Sequence, residues 1–361
     1  MNRRILPFSL VVCGAILAYA CSSKDSTDPT PNPVPEGGST TDGPKPEDDS
    51  GTLPDGAKTD GAIPSGNPIE GIANPADIPV FNNPPLSTEG PVWRTDRLYF
   101  SAPVAIDGKF VKLALPNTPT EVRGITPGNV PIGNAFDKKT NTFVSCEVTP
   151  GGGGLLVRTP AAGGVGTPIT LTFDGGVPLF DSPNDLVVRA DGTIFVTDPG
   201  YQGAPLNNNH IWRVRPTGVG GVTADIFETN VVGRPNGIAL SPDEKTLYVS
   251  FTEPDALALP MIMKYPVAAS DGALGVATKF ADVGPLTSDL DGLAVDTAGN
   301  VYAAVKNGVE VFKADGTKWP NRITTTKQIN GLAFGGADKK TLFMTSFTGM
   351  LQVTVKIAGI E

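Results

Sequence analysis

Histidine is almost missing from this 361-residue chain, with His210 the sole example. That excludes His-rich zinc or di-iron centres and HExxH-type proteases. The three cysteines, Cys13, Cys21 and Cys146, are too few and too scattered for a disulfide framework or a thiolate metal site. Basic residues are in the minority, 28 Lys and Arg against 37 Asp and Glu, and the net charge of −9 argues against a nucleic-acid partner. No sustained helical period appears after residue 75. What is abundant is glycine (43) and proline (35), a surplus suited to disordered chain and to a fold of many short strands and turns.

The N-terminus reads as an address followed by a tether. Arg3 and Arg4 precede a mostly apolar run over residues 5–20, short for a membrane-spanning helix and suited to a secretory signal. Ala18-Tyr19-Ala20-Cys21 resembles a bacterial lipobox, which makes Cys21 the expected lipidation site. Residues 22–80 contain no Phe, Trp or Tyr, and residues 22–60 hold nine acidic against three basic side chains. Such a stretch cannot bury enough apolar surface to offset its chain entropy. The expected organisation is a signal peptide over 1–20, a disordered Pro/Ser/Asp-rich linker over 21–74 and a folded domain over 75–361. The expected location is exported and lipid-anchored in a bacterium, on the periplasmic face of the outer membrane or at the cell surface.

The domain is one pattern written six times. EGPVW, IGNAFD, NDLVV, NGIAL, DGLAVD and NGLAF begin at 89, 132, 184, 236, 291 and 330, each followed by a turn and a β-rich run such as TLYVSF or TIFVTDP. Spacings of 39 to 55 residues are close to the length of one four-stranded propeller blade. The expectation is an all-β, six-bladed propeller with antiparallel blades.

In such a fold the leading residue of each repeat stands at the start of an innermost strand. Glu89, Asn184, Asn236, Asp291 and Asn330 therefore converge near one mouth of the axis, with Ile132 as an apolar wall. Five oxygen-bearing side chains without sulfur or imidazole suit a hard cation. Ca²⁺ is favoured over Mg²⁺ because it accepts irregular oxygen shells, and Zn²⁺ or Mn²⁺ are the other candidates. Asn-Gly and Asp-Gly are also ordinary turn dipeptides, but turn chemistry does not account for Glu89 or for recurrence at blade spacing.

These elements, STEGPVW (87–93), SPNDLVVRADGTIFVTDPGY (182–201), RPNGIALSPDEKTLYVS (234–250), DGLAVDTAGNVYAA (291–304) and NGLAFGGADKKTLFMTS (330–346), resemble the regucalcin/gluconolactonase family. The resemblance implies a metal-dependent hydrolase of a sugar lactone or related ester. It also implies Glu89, Asn236 and Asp291 as metal ligands, Asn184 at the metal, its water or the substrate, and Asp291 as candidate general base. Asp291 and Asn184 are thus the expected catalytic residues. The other reading is a non-catalytic, surface-tethered propeller binding a sugar or protein around a structural Ca²⁺.

The chain departs from the family pattern in its cations. Residues 175–182 hold no Lys or Arg, and the first basic residue after Glu147 is Arg158. With no substrate-orienting arginine evident, a carboxylate-bearing or phosphorylated lactone is disfavoured. Tyr201, Asn209 and Asn330 are further candidate substrate contacts. His210 reads as a loop or rim residue, Trp93 as packing, and Cys146 as a buried unpaired thiol.

Overall fold

The computed structural model describes residues 63–79, 87–102, 109–113, 119–149, 151, 153–172, 180–201, 209–216, 222–228, 233–252, 260–284 and 289–360. The expected signal peptide, Cys21 and most of the expected linker lie outside these residues. The chain divides into two units, 1–58 and 59–361, and the second carries all the architecture below.

Among the described residues, twenty-four strands form six four-stranded antiparallel sheets. The first of these strands is β1 (Ala76–Asp77). Blade one is β2 (Glu89–Arg94), β3 (Arg97–Ala102), β4 (Lys109–Leu113) and β5 (Thr120–Gly124). Blade two is β6 (Val130–Asp137), β7 (Thr142–Val148), β8 (Gly154–Pro160) and β9 (Thr167–Pro168). Blade three is β10 (Leu186–Val188), β11 (Ile194–Asp198), β12 (His210–Pro216) and β13 (Val222–Glu228). Blade four is β14 (Arg234–Leu240), β15 (Thr246–Thr252), β16 (Met261–Pro266) and β17 (Thr278–Asp282). Blade five is β18 (Leu293–Val295), β19 (Val301–Val305), β20 (Gly308–Phe312) and β21 (Ile323–Thr324). Blade six is β22 (Ile329–Gly335), β23 (Thr341–Ser346) and β24 (Gly349–Thr354), and β1 supplies its outer strand. Ala76 pairs with Gln352, so the first strand among the described residues closes the ring on the last of them. Residues ahead of β1 also pack onto the ring. Ile69 is buried in the blade five–six core, and Lys356 N donates to Pro68 O at 2.9 Å.

The core is split into six apolar seams, one between each pair of neighbouring blades. Strand alternation builds them. Along β15, Leu247, Val249 and Phe251 face blade three while Tyr248 faces blade five. A strand buried on both faces needs apolar residues at nearly every position, which is why TLYVSF reads as a continuous run. Burying one such side chain contributes about 1.5–3 kcal/mol, so each seam holds its two blades firmly.

Acidic residues in the hairpin turns away from the mouth close those turns. Asp243 accepts from Ser241 Oγ and Lys245 N, at 2.6 and 3.1 Å, and Asp191 accepts from Thr193 N at 2.8 Å. Asp137 accepts from Lys139 N and pairs with Arg158 at 2.6 Å.

Candidate active site

The inner strands of four blades are bulged at the repeat motif, between Glu89 and Val92, Pro131 and Asn134, Pro235 and Ile238, and Ile329 and Gly331. A bulge interrupts pairing and re-aims a side chain. Here it takes Ile132, Asn236 and Asn330 out of the ladder, while in blade one Glu89 stays paired with Ser101 and the bulge falls on Gly90 and Pro91. The position after the leading residue is Gly90, Gly133, Gly237, Gly292 and Gly331 in five blades. A Cβ on Gly237 would stand 2.3 Å from Asp291 O, and one on Gly90 would stand 2.4 Å from Ile132 O. Backbones of successive blades therefore touch at a narrow neck that leaves no room for a side chain at these glycines.

Hydrogen bonds stitch the neck. Gly133 N donates to Asn184 O, and Gly292 N to Asn330 O, both at 2.9 Å. Ser250 Oγ donates to Asp291 O at 2.8 Å and Thr197 Oγ1 to Asn236 O at 2.6 Å. Asn330 Nδ2 donates to Thr88 O at 3.1 Å and Asn134 Nδ2 to Gly90 O at 2.8 Å. Blades two to five thereby fix the leading residues of blades three to six, and blades six and two hold the residues on either side of Glu89.

Glu89, Asn184, Asp291 and Asn330 line one axial cavity of about 210 Å³, together with Ile132 as the expected apolar wall. Asn236 adjoins them and hydrogen-bonds Asp291. Burial first, then the charges of Asp291 and Asp185, holds the Glu89 carboxyl well above the usual carboxylate range. Burial first, then the charge of Asp185, does the same to Asp291. The oxygens of Asn236 and Asn330, Oδ1 in each, are buried with no hydrogen-bond partner. Among the described residues no three His, Cys, Asp or Glu side chains form a metal cluster by themselves, so amide oxygens have to complete any donor set. Crowded carboxylates, each disfavoured in its charged form, and orphaned buried amide oxygens are jointly satisfied by a hard cation, and these residues fit one.

Asp185 is the residue that the sequence reading passed over. It takes the neck position that is glycine in the other five repeats. Its Oδ1 accepts from Leu186 N at 2.9 Å and its Oδ2 from Ile238 N at 3.3 Å. Burial lifts its carboxyl to about 7 against those two donors. The signal was present as the single break in a column of glycines. Beneath it, Asp198 anchors the approach to Asn184, accepting from Asp181 N at 2.9 Å, Ser182 N at 2.5 Å and Trp212 Nε1 at 3.0 Å.

The outlying candidates separate. Tyr201 is half-buried at the blade three–four junction, its hydroxyl hydrogen-bonded to Thr252 Oγ1 and its ring under the Arg234 guanidinium. Asn209 is exposed before β12, the third strand out from the axis, and does not join the axial group. His210 is not in a loop. It opens β12 opposite Asp198 and meets Trp212 edge-on, ring centroids 5.8 Å apart. Trp93 stacks on Phe343 at 5.3 Å, and Cys146 is an unpaired, fully buried thiol that burial pushes upward in pKa.

Residues 87–348 match the family model described as the SMP-30/Gluconolactonase/LRE-like region. A gluconolactonase of Zymomonas mobilis is 31% identical over 195 residues, covering 50% of this chain and 52% of that protein. The chain thus spans about half the length of that relative. A pentonolactonase, XacC of Haloferax volcanii, is 29% identical over 269 residues, covering 72% of this chain and 81% of that one. Among solved structures, a gluconolactonase of Xanthomonas campestris superposes with a TM-score of 0.61 at 28% identity, over 75% of this chain and 86% of that one. A regucalcin of Agrobacterium tumefaciens, described as calcium-binding, shares the fold at a TM-score of 0.59 and 19% identity, over 80% of this chain and 95% of that one. With the family motifs in place around the axis and the match running through all six blades, the chain belongs to the SMP-30/gluconolactonase/LRE-like family.

Proposed function

We propose that the axial site hydrolyses a sugar lactone or a related lactone ester with a divalent cation, Ca²⁺ by preference, held by Glu89, Asn236 and Asp291 with Asn184 beside them. The observation that carries this reading is the meeting of desolvated, mutually repelling carboxylates with orphaned amide oxygens at one end of the axial cavity. When bound, the cation supplies Lewis-acid polarisation of the lactone carbonyl. Asp291 accepts the proton of the attacking water, and Asn184 orients the reacting oxygen by hydrogen bonding. Ile132 gives the ring of the substrate an apolar wall, and Asn330 a hydrogen-bonding edge. The glycine neck fixes these groups relative to one another before substrate arrives.

The reading extends to the chain's placement. Cys21 carries the lipid, and the segment between it and the propeller spaces the site from a membrane. The lipobox-like Ala18–Cys21 sequence and the acidic, aromatic-free stretch after it support this placement.

The test uses the purified full chain. Ca²⁺ is expected to raise its melting temperature, and a panel of aldonolactones is expected to be hydrolysed with acid release that EDTA abolishes. A Ca²⁺-dependent thermal shift with every lactone inert would replace the enzyme with the structural-cation binding propeller. Absence of both shift and turnover would remove the axial cation from either reading.

A further inference from the structure

We propose that Thr197 and Ser250 are positioning residues for the axial cation site. Each inserts a buried hydroxyl between the neck of its own blade and the leading residue of the next, and the pair sets the placement of Asn236 and Asp291. The proposal rests on the divalent-cation reading above and adds to it the groups that hold the donor residues in place.

The two residues occupy one recurring position on the second strand of a blade. Asn134 pairs with Ser145, Leu186 with Val196, Ile238 with Val249, Leu293 with Ala303 and Leu332 with Met344. The residue after each partner stands opposite the neck. In blades two to six that column reads Cys146, Thr197, Ser250, Ala304 and Thr345.

The identity of the column residue decides how neighbouring blades are joined. Cys146 and Ala304 bring no hydroxyl, and there the neck amide reaches straight across, Gly133 N to Asn184 O and Gly292 N to Asn330 O, both at 2.9 Å. In blades three and four a hydroxyl stands between. Asp185 N donates to Thr197 Oγ1 at 3.1 Å, and Thr197 Oγ1 donates to Asn236 O at 2.6 Å. Gly237 N donates to Ser250 Oγ at 2.7 Å, and Ser250 Oγ donates to Asp291 O at 2.8 Å. A hydroxyl has one hydrogen to give. The carbonyls of the home blade, Asp185 O and Gly237 O, lie farther off at 3.3 and 3.4 Å, so that hydrogen goes to the next blade. Both side chains are fully buried, which keeps solvent from competing for these bonds.

The relays are not spread evenly round the ring. They lead to Asn236 and Asp291, two of the three expected ligands, while the direct joints lead to Asn184 and Asn330. The ladder of blade four passes from Pro235 to Ile238, so Thr197 grips from outside the blade a residue that the ladder skips. Asp291 is held at both ends of its backbone, its N donating to Ala304 O at 3.0 Å and its O accepting from Ser250. Fixing the carbonyl fixes the peptide plane, and with it the direction in which the side chain leaves. Groups behind a ligand in this way govern its aim. Thr345 is a built-in comparison, since it holds the same column position and is fully buried, yet its Oγ1 has no hydrogen-bond partner.

The test measures Ca²⁺ affinity of the purified full chain by calorimetry, with lactone kinetics beside it. Ser250→Ala and Thr197→Val are each expected to weaken Ca²⁺ binding by about 10–100-fold and to lower kcat more than they raise KM. Ser250→Thr and Thr197→Ser keep the hydroxyl and should recover most of both losses. Thr345→Val removes a hydroxyl that bonds nothing and should match wild type. A purely structural role would lower the melting temperature in EDTA and leave the Ca²⁺ affinity of the folded protein intact. That result, or an equal loss of affinity in Thr345→Val, overturns the proposal while leaving the lactonase reading intact. If Ser250→Ala does not fold, the Thr197 variants decide; if Thr197→Val also fails to fold, the hydroxyls serve folding and the proposal falls. A wild type that binds Ca²⁺ but hydrolyses no lactone removes the lactonase reading alone, and the affinities still decide the relay. A wild type that binds no Ca²⁺ overturns both.

Discussion

Burial raises the carboxyl pKa at both ends of the inner blade region, but the two ends supply the same residue type with very different numbers of donors. Away from the mouth, Asp296 is fully buried, yet it accepts from Ala298 N, Asn300 N, Asn300 Nδ2 and Tyr302 OH at 2.8–3.3 Å. Near the mouth, Asp291 is held well above the ordinary carboxylate range by burial and by neighbouring Asp185. The first carboxylate closes a turn. The second stands in a place the fold alone would avoid. The difference teaches that burial by itself does not mark a functional acid. What marks it is burial without enough donors, next to other acids.

The contrast can be broken most sharply by removing one acid from each end. Asp291→Ala should cut lactone kcat/KM by about 10³-fold or more, while its melting temperature in EDTA stays at the wild-type value or rises as repulsion is relieved. Asp296→Ala should do the reverse. It should lose about 2–4 kcal/mol of stability by denaturant titration, because buried donors are left unpaired, with turnover per folded molecule retained. If both variants change the same property, the two ends are not different in kind.

A smaller effect sharpens the comparison from an intermediate case. Asp198 accepts three N–H donors, as a turn acid does, yet burial still lifts it to about 6. Its folded pKa lies above the unfolded value, so the stability it contributes is present below the ordinary carboxylate range. That stability is lost as pH rises through about 6. Between pH 5 and pH 7.5, wild type should lose on the order of 1–2 kcal/mol relative to Asp198→Asn, read from paired denaturation curves. A pH-independent difference would show that the three donors outweigh burial.

The propeller was legible in the sequence because a blade cannot bury itself. Each repeat must present two apolar faces to its neighbours, and that requirement writes runs such as TLYVSF at a fixed spacing. The leading residues Glu89, Asn184, Asn236, Asp291 and Asn330 were legible for a related reason, since a recurring position in a ring maps to a shared axis. Asp185 was not, because Asn-Asp reads as a turn when taken one repeat at a time. It emerges only against the glycines whose place it takes. His210 was misplaced because the polar NNN run before it has the composition of a loop, while the strand it opens starts at the histidine itself.

The closing strand β1 orders events in time. Ala76 and Asp77 leave the ribosome before any blade exists, yet their partners Gln352 and Leu351 are made some 275 residues later. Until then blade six has no outer strand to accept, and afterwards its backbone edge stays open for as long as β1 is away. So long a separation between partners slows the final pairing. The ring therefore closes on its earliest strand only after that strand has waited for the rest of the blades.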